Sequence, residues 1–110
     1  MAFFNQWWIQ ASTDFPYTPH PTPFFLISQI RRSAASIAAN IAEGYGRKTR
    51  GEYIQFLYIA QGSLKELETH LLLSIRVEIQ TPQAIQPVLN QCDLVGKILS
   101  SLIRALENRK

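Results

Sequence analysis

Only a handful of side chains in this sequence are of types that could carry out chemistry, and their spacing limits what they could do. The two histidines are His20 and His70. His70 stands four residues after Glu66, but neither histidine belongs to an H-E-x-x-H motif, and the repeated Glu-x-x-His of bundle di-iron sites is absent. Glu66 and Glu68 are two residues apart, so on a helix they point away from each other and make no acid pair. The single cysteine, Cys92, excludes an intrachain disulfide and a multi-cysteine metal site. It falls on an apolar stripe, where it reads as a small buried hydrophobe rather than a reactive thiol. Serine, histidine and aspartate occur without a motif such as G-x-S-x-G to link them. No catalytic residue, metal ligand or cofactor site is assigned, and the chain is expected not to be an enzyme. A hydrolase or transferase would have to use Asn40 and Glu43 in an open pocket.

Basic residues give a better lead. Arg31, Arg32, Arg47, Lys48 and Arg50 fall within twenty residues that hold one acid, Glu43. They are the candidate contacts to RNA, to DNA or to a partner protein. In the other reading Arg31 and Arg32 bind carboxylates of a neighbouring helix and the Arg47 to Arg50 cluster is a solvated turn. The net charge of +3 is too small to decide between them. The glycines of GYGRKTRG do not fit G-x-x-x-x-G-K-[ST] and follow no strand, which excludes a nucleoside triphosphatase loop.

These residues sit on elements that the hydrophobic pattern defines. Phe3, Phe4, Trp7, Trp8 and Ala11 have amphipathic helical spacing over residues 3 to 12. PYTPHPTP follows, a proline strap that forbids regular helix; it could also serve as a ligand for an aromatic groove. A second helix is expected from Pro23 or Phe24 to Gly44, with Gly44 as a left-handed C-cap. At 100° per residue it has three faces. Ile30, Ile37 and Ile41 form an apolar stripe. Ala35, Ala38 and Ala42 form a small-residue face that admits a second backbone, and Gln29, Arg32, Ser33, Ser36, Asn40 and Glu43 form a polar stripe. One core does not need three faces, so this helix is expected to pack both within its subunit and against another copy; a central helix of a monomeric bundle is the alternative.

Thr49-Arg50-Gly51-Glu52 is a capping box that opens a third helix running to about Gln80. Gly62 and Ser63 mark a close-packing point or a slight bend in it. Thr81-Pro82 opens a fourth helix, with Ile85, Val88, Cys92, Val95, Leu99, Leu102 and Leu106 in heptad spacing and Pro87 one turn inside. The fold class expected is all-α, an up-down antiparallel four-helix bundle with a shortened first helix. A single domain over 1–110 is expected: a short helix plus proline-rich strap in 1–23 and three long helices in 24–110. Hydrophobic residues at 46% with charged residues at 17% favour burial at an oligomer interface. There is no membrane-length apolar run, and the opening residues make a poor secretory signal, so a soluble protein of the reducing cytoplasm is expected.

The stretch QIRRSAASIAANIAEGYGRKTRGEYIQFLYIAQGSLKELETHL, Gln29 to Leu71, resembles the four-helix bundle family of proteins encoded in intervening sequences of bacterial large-subunit ribosomal RNA genes. The matching motif residues run from Gln29-Ile30-Arg31-Arg32 through Asn40-Ile41-Ala42-Glu43-Gly44 and Gly46-Arg47 to Phe56-Leu57, Gly62-Ser63-Leu64 and Glu66-Leu67-Glu68. The resemblance implies a left-handed up-down bundle and a homo-oligomer, a five-fold ring in described relatives. It also implies kinship with the accessory protein of diversity-generating retroelements, a basic pentamer that works with a reverse transcriptase and nucleic acid. No catalytic residues come with it. The sequence departs from the pattern at its front, where the first helix is shortened or replaced and the proline strap is added.

Overall fold

The computed structural model describes residues 22–109. The expected first helix, with Trp7 and Trp8, and the proline strap with His20 lie outside the described residues. Those described form three α-helices and no strand: α1 (Thr22–Tyr45), α2 (Arg50–Arg76) and α3 (Pro82–Glu107). The all-helical class stands on these three; the count of four rests on residues beyond them. α1 and α3 each pack along α2 and make almost no contact with each other. An open groove therefore runs between them.

The helix starts follow the capping chemistry in the sequence. Thr49 is the N-cap of α2, with extended backbone, and its Oγ1 accepts from the Glu52 amide at 3.1 Å. Thr81 does the same for α3, accepting from the Ala84 amide at 3.1 Å, with Pro82 in the first turn. Pro87 also lies inside α3 without ending it. It lies beyond the first turn, so the amide it lacks leaves the Gln83 carbonyl without its usual helical donor.

Two helix ends differ from expectation. Gly44 is not a left-handed cap, because no glycine has positive φ among the described residues and α1 continues through it to Tyr45. Glycine is required there for space. A Cβ on Gly44 would lie 2.7 Å from the Phe56 Cβ and 3.1 Å from the Tyr53 ring. α2 ends at Arg76 rather than near Gln80. Glu78 turns left-handed at φ 60°. The Ile79 amide reaches back to the Ser74 carbonyl at 2.9 Å and the Glu78 amide to that of Ile75 at 3.0 Å, the hydrogen bonds of a Schellman stop.

The core runs along α2 and α3: Leu57, Ala60, Leu64, Leu67 and Leu71 from one, Ile85, Cys92, Leu99 and Ile103 from the other. Three of the seven α3 heptad residues are buried. Ile85, Cys92 and Leu99 face α2, while Val88 is exposed and Val95, Leu102 and Leu106 are half-buried, turned toward the groove. Ile30, Ile37 and Ile41 of α1 pack on the core edge from across that groove.

Candidate functional site

The polar stripe of α1 meets α2 through Arg32, Ser33 and Ser36. Ser33 is wholly buried against α2, and its Oγ lies 2.8 Å from Glu66 Oε1 and 2.8 Å from the Gln29 carbonyl, so one hydroxyl proton serves two acceptors. Arg32 pairs with the same Glu66 oxygen and donates from Nε to Gln29 Oε1 at 3.0 Å. Further up, Ser36 and Ser63 share a hydrogen bond of 2.8 Å, and Asn40 Nδ2 donates to the Ser36 carbonyl at 2.8 Å and to its Oγ at 3.0 Å. Ser63 thus marks a close approach of helices, whereas a Cβ on Gly62 would meet nothing within 4 Å. Ser33 and then Arg32 bind the Glu66 carboxylate and hold its pKa below the usual range, with His70 adding a smaller pull in the same direction. His70 Nε2 stands 3.9 Å from Glu66 Oε1, and both ring nitrogens are buried without a hydrogen-bond partner.

The candidate basic residues separate into two kinds. Arg32 is engaged by Glu66. Arg47 is engaged by Glu43 at 2.7 Å, lies 3.9 Å from Glu52, and covers the Phe56 ring with its guanidinium 4.8 Å from the centroid. Tyr45 and Tyr53 meet edge to face beside it, with centroids 5.9 Å apart. Arg47 and Glu43 therefore close the α1–α2 turn. Arg31, Lys48 and Arg50 are exposed and make no ion pair among the described residues. Lys48 and Arg50 share the turn; Arg31 is about 20 Å away along α1, at 1.5 Å per residue. The five cations are not one patch.

Neither Asn40 nor Glu43 lines the α2–α3 cleft or the cavity at the start of α1. A polar cleft of about 460 Å³ does lie between α2 and α3, bordered by Lys65, Glu68, Asp93, Lys97 and Arg104. Four of its charges pair, Lys97 with Asp93 at 3.1 Å and Lys65 with Glu68 at 3.2 Å, and Arg104 adds one further positive charge. Cys92 lies at its floor, and burial, aided by Glu68, pushes the thiol pKa up and keeps it protonated. Among the described residues no three His, Cys, Asp or Glu side chains gather closely enough to hold a metal ion.

The small-residue face of Ala35, Ala38 and Ala42 named from the sequence is exposed, and the sequence reading did not single out the apolar residues exposed beside it. Phe24, Ile27, Ala34, Ala35, Ala38, Ala39 and Ala42 are all exposed along α1, and Arg31 is the charged residue among them. Leu94 and Ile98 are 51% and 57% exposed on α3. The signal for α3 was its excess of apolar positions beyond one heptad seam.

Fold and surfaces together define a helical packing module with apolar faces left open and without an assembled catalytic group among the described residues. The chain matches the family described as 23S rRNA-intervening sequence protein over residues 5–101, and it belongs to that family. It is also similar to a crystal structure of a protein of unknown function from the S23 ribosomal protein family of Bacteroides thetaiotaomicron. The two are 28% identical over 93% of this chain and 86% of the other, with a TM-score of 0.69. No curated protein matches the chain. No helix among the described residues is long and apolar enough to cross a membrane.

Proposed function

We propose that this protein is a non-enzymatic scaffold of the cytoplasm that associates with copies of itself and contacts RNA, DNA or a nucleic-acid-processing protein through Lys48 and Arg50, with Arg31 flanking. A bundle completed to four helices and closed into a five-fold ring is the assembly that the family resemblance favours. A reverse transcriptase is the kind of processing protein that the retroelement kinship suggests. The carrying observation is the outer face of α1, which is exposed over its length and bears one charge, Arg31. A surface helix that packs against nothing ordinarily carries charge there. A ring would repeat the Lys48 and Arg50 pair around one rim, and the summed field would attract phosphate without base readout.

Sedimentation across micromolar concentrations is expected to show an oligomer, and Ala38→Glu is expected to dissociate it. A wild-type monomer would remove the scaffold reading. Binding to mixed RNA and DNA is expected to weaken steeply with salt and to be lost on replacing Lys48 and Arg50 with Ala. Binding that is absent, or indifferent to salt, favours the second reading, a protein-interaction module with no nucleic-acid role. That reading draws support from Arg32 and Arg47, whose charges are already used inside the chain.

A further inference from the structure

The polar cleft between α2 and α3 has no part in the scaffold reading, and its charges are sorted along its length. Three contacts set the register of its walls. Gln61 Nε2 donates to Ser100 Oγ at 3.0 Å, Gly96 faces the Leu64 side chain, and Glu68 stands beside Cys92, whose thiol pKa it helps to raise. Glu68 and Asp93 therefore lie together at the lower end, toward the start of α3. Lys65, Lys97 and Arg104 border the part above them with Gln61, Ser100 and Ser101, and among the described residues no acid lines that part.

The floor is open because Cys92, Gly96 and Ser100, four residues apart on α3, are small; a Cβ on Gly96 would already come within 3.3 Å of Leu64. Donors converge above it. Lys97, Ser100, Ser101 and Arg104 follow i, i+3, i+4, i+7 spacing, so they share one side of α3 and span about 10 Å. Lys65 reaches the level of Lys97 from α2. Ser100 Oγ accepts from Gln61, and Ser101 Oγ accepts weakly from Arg104 Nη2 at 3.5 Å, so both hydroxyl protons stay available to an outside acceptor. Arg104 has no carboxylate partner among the described residues. The Lys65 and Lys97 side chains are 80% and 75% exposed, and each pairs with an acid of its own helix. Such pairs are weak, so both ammonium groups can turn to a stronger anion.

These donors select the ligand. An apolar ligand would strip water from unpaired charge, and a cation would meet three positive groups. A phosphate group has the charge and the acceptor oxygens to engage two ammonium groups, a guanidinium and two hydroxyls at once.

We propose that the upper part of the α2–α3 cleft is a phosphate-binding site held by Lys65, Lys97, Arg104, Ser100 and Ser101, the phosphate belonging to a small phosphorylated compound or to a nucleic-acid strand. The proposal goes beyond the scaffold reading, whose contacts lie at the α1–α2 turn, and rests on it only for a strand. At 100° per residue Arg50 shares the cleft side of α2 with Gln61 and Lys65, so a strand held at the turn has a continuous path into the cleft.

Calorimetric titration of the full-length protein with pyrophosphate, and fluorescence anisotropy of labelled oligothymidylate and oligouridylate, test the site. Wild type is expected to bind at least one of these probes. Lys97→Ala combined with Arg104→Ala, two exposed positions, is expected to weaken that binding about tenfold or more while far-UV circular dichroism keeps its helical signal. Asp93→Asn is expected to tighten it several-fold by releasing Lys97. Arg109→Ala, which removes an exposed cation outside the cleft, is expected to change it far less than the double substitution. Pyrophosphate bound in this pattern assigns the site to a small phosphorylated compound; oligonucleotide bound without pyrophosphate assigns it to a strand. No binding of any probe overturns the proposal. So does binding that the double substitution leaves unchanged, that Arg109→Ala weakens as much, or that Asp93→Asn weakens. Oligonucleotide binding lost on replacing Lys48 and Arg50 with Ala, yet kept in the double variant, sinks this proposal and leaves the reading at the turn standing. Pyrophosphate binding with no oligonucleotide binding does the reverse.

Discussion

α2 meets α1 through serines, a glycine and a carboxylate beside the isoleucines Ile30, Ile37 and Ile41, and it meets α3 chiefly through leucines, isoleucines and a buried cysteine. On the α1 side the contacts are Ser36 with Ser63, Ser33 and Arg32 with Glu66, and Gly44 against Phe56. On the α3 side Leu57, Leu64 and Leu71 pack with Ile85, Cys92, Leu99 and Ile103, and Gly96 lets Leu64 approach closely. The difference separates two jobs. Apolar burial supplies free energy without fixing a unique geometry, whereas directional bonds and a close backbone approach fix spacing and register while adding little net stability. The α3 seam is the more apolar of the two, and the α1 seam adds the directional bonds that set where α1 presents its outer face.

Substitutions on the two seams should therefore differ in size. Leu99→Ala, at a side chain 3% exposed, is expected to cost about 2–5 kcal/mol in urea unfolding, the largest loss of the set. Gly44→Ala tests the other seam. Alanine gains helix propensity of about 1 kcal/mol over glycine, but its Cβ must displace Phe56, so a net loss of about 1 kcal/mol is expected by the same measurement. A loss that exceeds that of Leu99→Ala would reverse the comparison.

The smallest effect sharpens it through pH. The Glu66 carboxyl titrates below its ordinary range because Ser33 and Arg32 bind its ionised form. A depressed folded-state pKa gives stability that is fully present above the unfolded value, about 4.3, and is lost as pH falls through the lower folded value. Glu66→Gln is expected to lower the thermal midpoint slightly at neutral pH, and the gap from wild type should close in acid. A gap that persists in acid would show that ionisation at Glu66 does not hold this seam.

The sequence discloses the helix starts more fully than the helix ends. Thr49 with Glu52, and Thr81 with Pro82, are local chemistry that needs no tertiary partner, and both caps appear where the residues place them. The stop at Arg76 was hidden because a left-handed position normally marked by glycine is held by Glu78. Gly44 was misread for the converse reason: it serves a neighbouring helix, and its own backbone is ordinary. The α3 heptad named the correct apolar residues, but spacing alone does not tell Leu99 on the buried seam from Val88 on the groove.

The candidate site was legible in types more than in roles. Five cations close in sequence look like one feature until partners are seen, and the acid that engages Arg32 is Glu66, 34 residues away. In the Gln29, Ser36 and Asn40 stripe, Ser36 bonds across to Ser63 of α2, while Gln29 and Asn40 bond to Arg32 and Ser36 of their own helix.

The near absence of contact between α1 and α3 bears on how the chain reaches its native state. Tertiary contacts join consecutive helices, so each hairpin closes a short loop and little entropy is spent before contacts form. α2 acts as the template for both neighbours. Because the α2–α3 hairpin holds most of the apolar core, it can condense first, with α1 added afterwards and opened again without dissolving the rest. A helix that can leave first and return last is suited to exchanging partners while the remainder of the domain stays folded.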